Sequence, residues 1–195
     1  MIGILVGIFF IGFSAIIPYE STALRQTFDI NIIPDFIGYL AIWFSVEKLS
    51  SSISKFKFCS SAAATLAVIN FLGFLGQLRF LIPNNDFSEG GVFNFIFEGV
   101  SIVYDGFYFV FVAINMLFLA FLAFSLFSLA ERDQHPVMMK IFGIFSVLYL
   151  LITVFGVIRN FVDMPIDLWM VVLPVGLLFM LFAGLETNRT KEFIK

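Results

Sequence analysis

The chain has 195 residues, of which 61% are hydrophobic and 13% charged, with a mean hydropathy of +1.03 and a formal net charge of −3. Too few polar side chains remain to cover a water-facing surface, which excludes an ordinary soluble domain. A single Cys (Cys59) rules out an internal disulfide, and with the single His (His135) it cannot build a Cys/His zinc site.

Six membrane spans of ~20 residues need roughly 120 apolar residues, and the apolar share supplies about 119 of the 195. The apolar runs are continuous and do not alternate, so they read as helices, and the fold class is all-α: a polytopic helix bundle in one membrane domain with no soluble domain. In chain order the spans fall at about 2–17, 32–46, 61–82, 106–130, 141–158 and 168–185. The first two are short against a hydrocarbon core of roughly 30 Å. Ile2–Ile17 has small residues near a signal-type cut at Ala15, but no Lys or Arg precedes it, so it reads as a retained span. The segment Val92–Tyr104 reads either as an interfacial helix or as an extension of the fourth span. Ala63 with Ala67, and Gly73 with Gly76, allow close helix contact in lipid. Pro174 and Gly176 fall inside the sixth span, where Pro deletes one backbone hydrogen bond and favours a kink.

Orientation follows from Lys and Arg in alternate connections. Lys48, Lys55, Lys57, Arg132, Lys140, Arg189, Lys191 and Lys195 fall on one side, and Arg25, Arg79 and Arg159 on the other. Both termini are therefore expected in the cytoplasm. The outer side then holds nine of the fourteen acids and the inner side five.

Polar residues at hydrocarbon depth are costly and are functional candidates by default. In the third span Asn70 and Gln77 lie two turns apart on one face, suited to an interhelical hydrogen bond or to a ligand, and Arg79 follows near the outer interface. Glu98, Ser101, Asp105, Tyr108 and Asn115 form a polar stripe at 3-4-3-7 spacing, with Val112 in the gap. Counted back from Ala130, Asn115 sits roughly 8 Å below the outer boundary of the core, and Asp105 at or above it. The stripe reads as one wall of an outward-facing vestibule, or as a wet helix end whose acids pair with Arg79 and Arg159. Asn31 to Asp35 and Asp163 to Asp167 each combine a cap residue, a first-turn Pro and an Asp, which suits a helix N-terminus. On the inner side, Glu131 to Pro136 reads as a solvated connector, and Lys55-Phe56-Lys57 as a basic anchor at anionic headgroups. HExxH, GxSxG and Walker motifs are missing, and no span contains His, so enzyme is the least favoured class. No cofactor, metal or nucleic-acid partner is indicated.

The stretch Phe28-Asp29-Ile30-Asn31-Ile32-Ile33-Pro34-Asp35-Phe36-Ile37-Gly38-Tyr39-Leu40 resembles the opening of the second span in uncharacterised small multi-pass membrane proteins of Gram-positive bacteria. The likeness covers roughly the first fifty residues and is most specific at Pro34–Tyr39. It implies a bacterial plasma-membrane location and nothing catalytic.

Two functions follow as expectations. In the first, the protein binds or passes a small polar or cationic solute through an outward-facing cavity. Its lining is Asp35, Tyr39, Asn70, Gln77, Glu98, Asp105, Tyr108 and Asn115, with Arg79 and Arg159 as counter-ions. In the second, it is a non-catalytic accessory or regulatory subunit that holds another membrane protein, with Ala63, Ala67 or Gly73 at the contact. The lipid bilayer is the surrounding partner in both.

Overall fold

A computed structural model describes residues 2–12, 16–21, 26–31, 34–51, 53–81, 108–159 and 169–193. Helices dominate: α1 (Ile2–Gly12), α2 (Asp35–Ser50), α3 (Lys55–Leu81), α4 (Tyr108–Arg132), α5 (Pro136–Arg159) and α6 (Trp169–Phe193). Between α1 and α2 lies one antiparallel hairpin, β1 (Ile16–Ser21) with β2 (Gln26–Asn31), paired from Ile16 with Asn31 to Ser21 with Gln26.

The hairpin corrects the expected first span. The helix stops at Gly12, and Ile16 and Ile17 are extended rather than helical. Both residues are β-branched, and Pro18 pushes the residue before it toward extended backbone. A Pro within a strand is tolerated here because a two-stranded ribbon has only edges. Asn31 also leaves its expected capping role: it ends β2, and Pro34 stands at the N-cap of α2 with no side-chain cap. The first-turn Asp35 still places negative charge at the positive end of the helix.

Among the described residues three helices are long and apolar enough to cross a membrane, over Lys55–Leu75, Ala113–Arg132 and Pro136–Ile158. The helix α1, with 11 residues at 1.5 Å each, reaches about 16 Å, and α6 contributes a shorter apolar run at Pro174–Glu186. The helix α6 continues through Pro174, its sixth residue.

Burial divides each helix by its period. On α3 the buried residues Phe56, Cys59, Ala63, Leu66 and Asn70 fall at 3-4-3-4 steps, with Ser60, Ala67 and Gly73 buried beside them. On α5 they are Phe142, Phe145, Tyr149, Ile152 and Thr153. The outward faces are also apolar: Ile144, Val147, Leu151, Val154, Phe155 and Ile158 of α5 are exposed. A helix that is hydrophobic all round on the surface of its own fold is built for lipid. The helix α4 is buried on most sides, from Met116 to Ala130, and is the central post.

Lipid tails are as apolar as Leu, so helix contact in a bilayer depends on close packing and hydrogen bonds. The closest approach joins α1 to α2. A Cβ added at Gly7 would meet the Gly38 carbonyl oxygen at 2.6 Å, and one at Gly38 would meet the Gly7 carbonyl oxygen at 2.7 Å. Gly3 abuts Ser45 and the Ala41 backbone in the same antiparallel register. At the same end Gly184 of α6 rests on Leu5 of α1, so the start of α1 and the end of α6 are neighbours. Phe179 of α6 ties that helix to α5 through Phe145 and Tyr149, at ring-centroid distances of 5.2 and 5.4 Å.

The connector between α4 and α5 is a Schellman turn. His135 N–H donates to the Ala130 carbonyl and Gln134 N–H to the Glu131 carbonyl, with Gln134 left-handed at φ 56°. Pro136 then opens α5, where a missing N–H costs nothing.

Candidate functional site

Two polar levels occur along the junction of α2, α3 and α4. The inner level is a seam. Lys55 Nζ donates to Ser128 Oγ at 2.6 Å and stands 4.0 Å from the centre of the Phe124 ring. One turn further along α3, Cys59 Sγ meets Ser125 Oγ at 3.3 Å, and Ser60 donates to Glu47 Oε2 of α2. Ser125 and Ser128 also bond back to the carbonyls of Phe121 and Phe124, so each hydroxyl is held in its own helix. These contacts explain how a lysine and four small polar groups share a largely buried helix end: each has a partner.

The upper level carries three of the expected site residues. In antiparallel helices the numbers of facing residues sum to a constant, and Cys59 with Ser125 sets that sum at 184 for α3 and α4. Asn70 and Asn115 sum to 185 and therefore lie at one level, eleven residues or about 16 Å along α3 from Cys59. Tyr39 of α2 is fully buried and packs edge-on to Phe118 of α4 at 5.3 Å, one turn from Asn115. Asn70 is 7% exposed and spends one amide N–H on the Leu66 carbonyl of its own helix, at 2.8 Å. Asn115 is half-buried, and its Oδ1 is a buried acceptor without a hydrogen-bond partner among the described residues.

The remaining expected residues divide by position. Asp35 begins α2 and is half-buried. Gln77 and Arg79 lie near the end of α3, Tyr108 begins α4 and Arg159 ends α5, but their side chains fall outside the described positions. Glu98, Ser101, Asp105 and the Asp163 to Asp167 segment lie outside the described residues altogether, as does Val92–Tyr104. Ala63 and Ala67 are 0% and 4% exposed, and Gly73 is buried, so this small-residue face packs within the chain. Among the described residues no three His, Cys, Asp or Glu side chains converge on a metal position.

Sequence reasoning missed the inner seam. Its signal was present as Lys55 and Cys59 at i, i+4 and Ser125 and Ser128 at i, i+3, but small polar residues at these spacings occur in any helix, and only the packing pairs them. It also missed Tyr149, which is 1% exposed and whose hydroxyl has no hydrogen-bond partner among the described residues.

Searches against protein-family models, curated proteins and solved structures give no match to the chain.

Proposed function

We propose that this protein is a bacterial plasma-membrane protein that binds or passes a small polar or cationic solute through a cavity opening at the end opposite Lys55. The site is the upper level of the α2, α3 and α4 junction, with Asn115, Asn70 and Tyr39 at its floor. Asp35, Gln77 and the stripe from Glu98 through Asp105 to Tyr108 form its walls, and Arg79 and Arg159 are the counter-ions. Six spans with both termini cytoplasmic complete the reading, supported by the Lys and Arg bias and by the meeting of Leu5 with Gly184.

One observation carries the proposal. A buried carbonyl oxygen without a partner costs about 1–3 kcal/mol, and a helix in lipid has no structural need to keep one. A solute that donates to Asn115 Oδ1 recovers that cost on binding. The test is native mass spectrometry of the purified wild type and of Asn115→Leu, read for a bound species of a few hundred daltons. The proposal predicts that the species is present in wild type and absent from the variant, whose melting temperature is equal or higher. Loss of thermal stability without change in bound mass identifies Asn115 as a packing residue and contradicts it.

A further inference from the structure

An apolar groove of about 900 Å³ runs along the outside of the bundle between α3, α4 and α5, lined by Phe58, Thr65, Ile69, Leu117, Phe121 and Leu150 among others. From Phe58 to Ile69 is eleven residues, or about 16 Å of helix, which is one leaflet's share of a core roughly 30 Å thick. A membrane-spanning partner helix would need the full thickness. Phe124 belongs to the groove wall as well, and the face of its ring carries the Lys55 ammonium.

Among the described residues the charge beside the groove lies at one mouth. Lys55 precedes Phe58 by three residues and Lys57 precedes Ser61, another wall residue, by four, so both continue the groove-lining faces of α3 by one turn. Phe56 between them is fully buried and fixes the rotation of α3, while Lys57 is exposed. An ammonium has three N–H donors; Ser128 takes one from Lys55 and leaves two. Two of the nearby acids have other partners: Glu47 accepts from Ser60, and Asp133 pairs with Arg132 at 2.9 Å. Among the described residues neither lysine forms an ion pair.

We propose that this groove is a binding site for an anionic glycerophospholipid, with one of its acyl chains laid along Phe58 to Ile69 and its phosphate held by Lys55 and Lys57. Length matched to one leaflet, and positive charge at the Lys55 mouth, select this occupant over a helix or a neutral lipid. The interaction is distinct from the solute site, because Tyr39, Asn70 and Asn115 do not line the groove.

The experiment offers the wild type equimolar phosphatidylglycerol and phosphatidylcholine with identical chains in detergent, and reads the bound lipid by native mass spectrometry. Each lysine is expected to favour the anionic lipid about fivefold, so the pair gives a preference of roughly twenty-fivefold. Lys57→Gln, at an exposed position, should reduce it about fivefold, and the double substitution Lys55→Gln with Lys57→Gln should bring it near unity. Thr65→Trp, from an exposed wall position, should displace the bound lipid by filling the groove. Equal binding of the two lipids to wild type overturns the proposal, as does a preference unchanged in Lys57→Gln. A photoreactive side chain at position 65 that captures a polypeptide in native membranes, rather than phospholipid, overturns it too. Should Thr65→Trp fail to fold, the Lys57→Gln comparison decides alone.

Discussion

Individual residues here are explained by whether their polar atoms find partners. Lys55, Cys59, Ser60, Ser125 and Ser128 all do, and replacing one member leaves another stranded. Ser128→Ala should therefore cost about 1–2 kcal/mol, while a double-mutant cycle with Lys55→Met should recover most of it, measured as thermal stability in one detergent. Gln134 presents a backbone cost instead: its φ of 56° lies in the left-handed region that only Gly occupies freely. Gln134→Gly should raise stability by about 1 kcal/mol, and a loss of stability would show that the Gln side chain contributes more than its backbone costs.

At the scale of elements, the α1 and α2 contact is the most sensitive to volume. Gly7 and Gly38 approach through their backbones, so a methyl group at either position meets a carbonyl oxygen inside 3 Å and the helices must separate. Gly7→Ala and Gly38→Ala should each destabilise by about 2 kcal/mol, whereas Gly156→Ala, where a Cβ would meet nothing within 4 Å, should be neutral or slightly stabilising. A thermal melt of the three variants checks the ranking. Much at this scale was legible in the sequence. The helices at 61–82, 106–130, 141–158 and 168–185 stand within a few residues of α3 to α6, apart from longer polar ends, because apolar runs and helix length are local properties. The first span was misjudged because Ile16 and Ile17 are as hydrophobic as any span residue; hydrophobicity does not register that a β-branched pair before Pro favours a strand. The Gly3, Gly7 and Gly38 contact went unnoticed because its members belong to two helices, and pairing between helices is set by register.

For the whole molecule, the arrangement is a bundle around α4 whose outer faces are apolar, with two polar levels along the α2, α3 and α4 junction. The stripe at 3-4-3-7 spacing ends on Asn115 but could not say what lies beside it; the packing sets Asn70 and Tyr39, both already expected in the lining, along the same junction. The inner seam closes that end with satisfied bonds, so a solute path is expected from the other end alone. The most direct test of this account is labelling of Asn115→Cys in a Cys59→Ala background by a membrane-impermeant thiol reagent, in oriented vesicles. The account predicts modification from the side opposite Lys55 and none from the Lys55 side, with lipid-facing Leu151→Cys unreactive from both. An Asn115→Cys protein that stays unmodified from both sides while folded would show that water does not reach this level, and would contradict the cavity.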